Sequence, residues 1–351
     1  MTLDEIVSRV QAAAGAGVQL RLKGGGSKDF YGGMLAGEVF DLSAYRGILA
    51  YEPTELYLTA KAGTPLAEIE ATLAEQGQML PFEAPHFGGA TAGGCVAAAL
   101  AGPRRQQAGG VRDYVLGVTL VDGQGQVLRF GGQVMKNVAG FDLSRLLTGS
   151  LGTLGVLAEI TFKVLPRPFN ETTLTFAMTE AAALEQLNRW GGQPLPISAS
   201  FWHDGQLAVR LSGARAAVDS ARRQLGGDLL PAAEAFWSSV REQTHAAFQS
   251  PILWRLALPT TAPVLALPAP TTVEWGGGQR WLAADLDAAT VRQAAAAAGG
   301  HATLYRAPES LRCRESAFTP LPYPLLAIHQ RLKKVFDPKG IFNPGRLYAE
   351  V

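Results

Sequence analysis

Apolar residues at Ile6, Val10 and Ala13 recur at helical spacing behind Thr2-Leu-Asp-Glu5, which has the order of a capping box. The pattern predicts a first helix that Gly15 and Gly17 end. Val18-Gln-Leu-Arg-Leu22 then alternates as a strand does and runs into Lys23-Gly-Gly-Gly-Ser-Lys28. Leu56, Leu58 and Ala60 form a second alternation. Thr64-Pro65 opens a helix carrying Leu66, Ile69 and Leu73, and Gly77 closes it. Residues 118–122 and 126–130 flank Gly123-Gln-Gly125 as a hairpin. A short helix at 142–147 leads through further glycines to a strand at 157–165.

At Pro166-Arg-Pro168 the pattern changes character. Beyond it a strand (172–178), a helix (180–190), two strands (197–202 and 207–211) and a helix (214–225) follow in β-α-β-β-α order. That order predicts a ferredoxin-like layer. A looser second round has a helix at 232–248, a strand at 253–258, a hairpin at Gly276-Gly-Gly278, a helix at 288–298 and a strand at 301–306. The sequence shows no repeat that would mark duplication. A final helix at 324–336 leads to Asp337-Pro-Lys-Gly-Ile-Phe-Asn-Pro-Gly345.

Composition sharpens the division. Residues 1–165 hold 27 of the 40 glycines, whereas 16 of the 21 prolines fall in 166–351. With 351 residues, two domains are expected, and we place them at 1–165 and 166–324, with 325–351 returning to the first. The net charge of +1 advertises neither a nucleic-acid nor a membrane-surface partner. No apolar run approaches the ~18 residues of a spanning helix, and the acidic N-terminus lacks the basic region of a secretory signal. Cys95 and Cys313 form no disulfide or metal framework, which fits a cytoplasmic protein.

The candidate chemistry lies in the glycines. The chain has no G-x-G-x-x-G and no G-x-x-x-x-G-K-[ST], so an ordinary dinucleotide fingerprint or P-loop is not expected. Lys23, Gly24, Gly25, Gly26, Ser27 and Lys28 follow a strand instead. They form either an anion nest of inward-turned N–H groups or a flexible turn. A second cluster holds Ala90, Thr91, Gly93 and Gly94, followed by Ala101, Gly102, Arg105 and Gly109. A third holds Gly152, Gly155 and Val156. Such runs of small residues leave a channel for a flat ring and an extended dinucleotide, or they serve close packing of helix on strand. Three clusters separated by strands favour the channel.

In this order the clusters resemble the FAD-binding domain of the vanillyl-alcohol-oxidase/PCMH flavoprotein superfamily. Phe336-Asp-Pro-Lys-Gly-Ile-Phe-Asn-Pro-Gly-Arg346 resembles the closing motif of its 2-hydroxy-acid dehydrogenase branch. Three segments are similar to FAD-binding subunits of bacterial glycolate oxidases: Ala101-Gly-Pro-Arg-Arg105, residues 128–142, and Gly149-Ser-Leu-Gly-Thr-Leu-Gly-Val156. The resemblance implies an α+β protein: a PCMH-type FAD-binding domain of two subdomains with a ferredoxin-like cap. It makes residues 24–28 the pyrophosphate loop. Ala90, Thr91, Gly93 and Gly94 become a flavin-lining segment, and Ala101, Gly102, Arg105 and Gly109 a stretch along the cofactor. Gly152, Gly155 and Val156 mark a strand entry near the nucleotide, and Asn343 closes on the flavin.

The pyrophosphate loop offers no His or Cys for covalent attachment, so non-covalent FAD is expected, with Cys95 a buried apolar residue. The branch's His-rich metal segment and Glu-His-Gly motif have no counterpart. His86, His203, His245, His301 and His329 are scattered without ligand spacing, and only His86 adjoins a flavin segment. No metal is expected and no catalytic residue is assigned. Arg306, Arg312 and Arg314 are taken as solvated, and the tryptophans of the second domain as core or interface. The implied function is a subunit that oxidises glycolate or a similar small 2-hydroxy acid, together with a sister FAD subunit and an iron–sulfur subunit. The alternative is a non-catalytic, flavin-holding relay or assembly subunit. Membrane association would then run through partners.

Overall fold

The computed structural model describes residues 1–132 and 142–351. Thr2 and Glu5 complete the capping box of helix Leu3–Ala16, and Gly17 ends it in the left-handed conformation. Ile6, Val10, Ala13 and Ala14 are its buried stripe. Strand Leu20–Lys23 pairs in parallel with Glu38–Asp41, and Phe342 bridges to Leu20, so the chain's end joins this small sheet. A five-stranded antiparallel sheet follows in the order 48–52, 57–61, 156–163, 115–121, 127–131. Helices Leu66–Glu75 and Ala92–Ala98 pack against it through Leu66, Ile69, Leu73, Cys95 and Val96.

Residues 170–306 form one eight-stranded sheet in the order 228–229, 170–177, 206–213, 197–203, 272–274, 279–282, 253–257, 301–306. Each half has the strand order of a ferredoxin-like layer, 4-1-3-2 and then its mirror, and the second strands of the two halves pair edge to edge at Phe201–Glu274 and Trp202–Val273. The duplication that the sequence hides is therefore one of topology. The second half replaces the first crossover helix by the Pro-rich stretch 259–271, which removes the periodicity that would have revealed it. Helices Glu180–Gly191, Arg215–Leu225 and Ala288–Ala297 cover one face. The other face turns Phe201, Ala208, Trp281 and Tyr305 toward Tyr31, Leu100 and Leu151 of the N-terminal half.

Two side-chain systems fix this arrangement. Glu83 accepts from Arg210 Nη2 at 3.0 Å and from Arg104 Nε at 3.3 Å, and Arg104 Nη2 reaches Glu171 at 2.6 Å. Burial pushes the Glu83 carboxyl up, but the Arg210 and Arg104 guanidiniums outweigh it and hold the group below the ordinary carboxylate range. At the C-terminus, helix Tyr323–Phe336 returns the chain to the first sheet, with Phe336, Ile341 and Phe342 buried among N-terminal residues.

Trp202, Trp237, Trp254 and Trp281 are buried, as core residues should be. Arg306 and Arg312 depart from the solvated reading. Arg306 donates to the Phe248 carbonyl and to Gln243, and Arg312 to the carbonyls of Gly32 and Gly33. Each reaches acceptors on a segment far away in the chain, which sequence spacing does not reveal. Arg314 is exposed. Among the described residues, no helix is long and apolar enough to cross a membrane.

Candidate functional site

Strand Leu20–Lys23 delivers the glycine loop to the floor of an open cleft of about 820 Å³. Lys23, Gly24, Gly25, Gly26, Ser27 and Lys28 line it, together with Thr91, Gly93, Gly94, Gly152, Gly155 and Asn343. The sequence therefore named twelve residues, drawn from three separated clusters and the tail, that the fold brings to one cavity. Leu22, Leu42, Ala62, Leu151 and Leu157 supply apolar walls, and Arg346 stands at the edge.

Among the described residues, no protein acceptor engages the backbone N–H groups of 24–28, whereas Asp29 N donates back to Gly26 O at 3.1 Å and closes the turn. Gly26 has φ +71°, the left-handed step that lets successive amides converge. Lys28 is half-buried, with Ser27 Oγ at 3.3 Å and the Phe87 ring at 5.4 Å. Burial lowers its pKa, while charge on Cys95 and Glu242 would raise it. A desolvated ammonium beside unengaged amides is a place for an anion. The cradle thus fits a diphosphate by the chemistry of its donors.

Gly25 needs a different account from the one its sequence suggests. A β-carbon there would lie 1.6 Å from the Gly89 carbonyl oxygen, so the protein's own loop sets the constraint before any ligand does. Gly24 is similarly held against Thr91, whose hydroxyl would sit 2.4 Å from an added β-carbon. The Thr91 side chain caps helix Ala92–Ala98 by accepting from Gly94 N at 3.3 Å. Asn343 is a clamp: its Oδ1 accepts from Leu22 N at 2.8 Å and its Nδ2 donates to Leu151 O at 2.6 Å. It ties the strand before the glycine loop to the turn before Gly152. Arg346, absent from the sequence candidates although it closes the terminal motif, donates to the Tyr31 and Gly33 carbonyls and so holds the loop after Lys28. Burial lowers its pKa to about 10.

Six candidates lie elsewhere. Ala90 and Val156 are buried in the core behind the cleft. Ala101 and Gly102 border a separate narrow cavity facing the cap sheet. Arg105 stacks its guanidinium 4.3 Å from the Trp275 ring, and Gly109 adjoins Asp113. Most of segment 128–142 lies outside the described residues. The cleft's described lining contains no histidine or cysteine. Cys95 is fully buried, its thiol pushed up to about 12 by desolvation, and His86 Nε2 contacts Glu70 at 3.1 Å.

Sequence reasoning missed Glu274, which no motif marks. It is buried on the cap sheet, accepts from Trp281 and Gln279, and desolvation pushes its carboxyl up to about 7. A carboxyl whose folded pKa exceeds its unfolded one is fully compatible with folding below the unfolded value, near 4.5, and weakens the fold as pH rises toward 7. Glu274→Gln should therefore raise stability by about 3 kcal/mol at pH 8 and by little at pH 4.5. Denaturation midpoints at the two pH values check this, and equal shifts at both would contradict it.

Comparison with known proteins follows the same geography. Residues 1–131 match the FAD binding domain family, and residues 322–347 match the C-terminal domain of FAD linked oxidases. The glycolate oxidase subunit GlcE of Escherichia coli (strain K12) is 46% identical over 348 residues, 99% of this chain and 97% of that one. The glycolate oxidase subunit GlcD of Bacillus subtilis (strain 168) is 34% identical over 164 residues, 46% of this chain and 35% of its own. A D-2-hydroxyglutarate dehydrogenase of Xanthomonas citri is 29% identical over 189 residues, covering 53% of this chain and 40% of that one. Among solved structures, alkyldihydroxyacetonephosphate synthase superposes with a TM-score of 0.66 at 16% identity, over 98% of this chain and 76% of that one, which supports the fold alone.

Proposed function

The chain belongs to the family of the glycolate oxidase subunit GlcE, and on that footing we propose that it is the FAD-binding subunit of a complex oxidising glycolate or a similar small 2-hydroxy acid. The observation that carries this reading is the cradle at 24–28, whose amides have no protein acceptor among the described residues and which lines one cleft with Thr91, Gly94 and Gly152. The chemistry that FAD supplies when bound is acceptance of a hydride and its release as single electrons.

The chain's own residues do the holding. The amides of 24–28 would bind the diphosphate non-covalently, and Lys23 and Lys28 would offset its charge. Asn343 and Arg346 keep the two sides of the cleft in register. We assign residues 1–165 and 325–351 to this domain and 166–324 to the cap. The partners are a sister flavin subunit and an iron–sulfur protein, in the cytoplasm or on a membrane through those partners.

One observation favours a second reading, in which this flavin relays electrons for chemistry done on the sister subunit. No histidine lines the described cleft, and three of the five are engaged elsewhere: His86 with Glu70, His203 with Thr272, and His245 with the Ala247 amide. Purified chain should carry a flavin spectrum, with FAD released by acid. A chain that neither retains nor takes up FAD would overturn the proposal. Anaerobic glycolate separates the readings: bleaching of the flavin band marks an intrinsic site, and a flavin that stays oxidised until partners are added marks the relay.

A further inference from the structure

The turn at 86–89 stands between the second half of the chain and the glycine cradle, and it touches the cradle twice. The Gly89 carbonyl lies so close to Gly25 that a β-carbon there would come within 1.6 Å of it. The Phe87 ring lies under Lys28 Nζ, 5.4 Å from the ring centre, and Phe30 packs edge-on against the same ring at 5.6 Å. Lys28 lines the cleft on a flexible four-carbon stem, and its chain neighbour Ser27 offers Nζ only a hydroxyl at 3.3 Å. A cation held over an aromatic face gains direction without a counter-ion, so its charge stays available to an anion.

On its other side the turn is held by Glu242, the residue that ends helix Ala233–Arg241 of the cap. Glu242 Oε2 accepts from the amides of Phe87 at 2.8 Å and His86 at 3.1 Å, while Oε1 accepts from Arg241 Nε at 2.8 Å. Two successive amides converging on one oxygen make an anion nest. Here a carboxylate from 155 residues along the chain fills it. Phe87 has φ +46°, a left-handed conformation that a bulky side chain rarely adopts, and Gly88 follows at φ +82°. Such strain persists only where the surroundings over-determine it, as at ligand clamps. Among the described residues Glu242 is the sole acceptor for the Phe87 amide. Without that carboxylate the turn would relax toward ordinary φ and carry the ring off Lys28.

We propose that Glu242 is a positioning residue for the cofactor's diphosphate: it holds the strained turn, and the turn keeps Phe87 on Lys28 and Gly89 against Gly25. Seating of the cap and retention of the flavin are then one coupled event. The proposal rests on the functional reading above, in which the diphosphate lies on residues 24–28. Glu242 is not part of the cleft's described lining, so its influence passes through the turn. The coupling is reciprocal: a diphosphate engaging Lys28 steadies the turn and its grip on the cap.

The test is calorimetric titration of the full-length apoprotein with FAD, for Glu242→Ala, Lys28→Met and the double variant. Each single change should weaken FAD about tenfold. The double variant should fall well short of the roughly 100-fold loss that independent sites would give, because Glu242 acts on a group already removed. Glu242→Gln, which keeps an acceptor for the Phe87 amide but loses the charge, should lie between the parent and Glu242→Ala. Thermal melts of the apoproteins show whether each variant is folded, and Glu242→Gln completes the same cycle should Glu242→Ala fail to fold. A Glu242 that merely stabilises the fold would lower the melt and leave the two losses multiplying. That result, or parental FAD affinity in Glu242→Ala, overturns the proposal. A parent chain that takes up no FAD would instead strike the functional reading.

Discussion

A Gly94→Val chain should fold and melt as the parent apoprotein does, yet emerge from purification almost free of flavin. Gly94 sits inside helix Ala92–Ala98 and lines the cleft opposite the glycine loop. A β-carbon there would meet only the Thr91 hydroxyl, at 3.2 Å, a contact that a small rotation relieves. Helix propensity does not oppose the change, since Gly is about 1 kcal/mol worse than Ala within a helix and Val lies between them. The added γ-carbons have nowhere to go but the cleft. We expect FAD affinity to fall at least about 100-fold, equivalent to roughly 3 kcal/mol. Gly94→Ala should give an intermediate loss. The flavin-to-protein absorbance ratio, read beside thermal melts of the apo forms, decides the matter, and parental flavin content in Gly94→Val would refute the placement of the cofactor. Gly25 is a poorer probe. Its β-carbon would strike the Gly89 carbonyl at 1.6 Å, so flavin loss in a Gly25 variant would report a broken loop as readily as a blocked ligand.

That contrast shows what the sequence could and could not say. Glycine clusters after strands reveal that backbone approaches something closely, because only an absent side chain permits it. They do not reveal whether the neighbour is ligand or protein. Gly25 and Gly24 meet protein at 1.6 and 2.4 Å, Gly94 meets only the Thr91 hydroxyl at 3.2 Å, and the difference depends on how 89–91 folds across from the loop. The N-terminal helix was legible from its capping box and period, and the strand leading into the glycine loop and the closing helix from their period, whereas strands Glu38–Asp41 and Ile48–Glu52 carry no pattern that marked them. The pairing of the two halves of the cap sheet was not, since the edge contact of Phe201 with Glu274 joins strands more than seventy residues apart. Glu274 and Arg255 escaped notice for the same reason. Each is an ordinary alternating strand residue, and only the register of two strand pairs, 253–257 with 279–282 and 279–282 with 272–274, places them at one cavity. Arg346 was within reach: it ends the motif that supplied Asn343, and an arginine there has carbonyls to cap.

Among single substitutions in the tail, Asp337→Ala should destabilise most, by about 3–5 kcal/mol. Asp337 is 1% exposed and accepts from the backbone amides of Ile341 and Phe342 at 3.0 and 2.8 Å, while Lys333 Nζ lies 2.9 Å from its Oδ2 atom. The same ammonium donates to the carbonyls of Thr153 and Phe342 at 2.8 and 2.7 Å. Removing the carboxylate strands a buried cation and two buried amides together. Lys333→Met should cost less, about 1–3 kcal/mol, because the carboxylate keeps its two amides and the methionine fills the volume. Denaturant midpoints at constant slope measure both losses, and a Lys333→Met chain weaker than Asp337→Ala would reverse the assigned roles. The consequence reaches the cofactor. This turn aims Ile341 and Phe342 into the core and sets Asn343 between Leu22 and Leu151, so loosening it frees both edges of the cleft. FAD affinity should therefore fall in Asp337→Ala although neither Asp337 nor Lys333 lines the site, and added FAD should recover part of the lost stability by mass action.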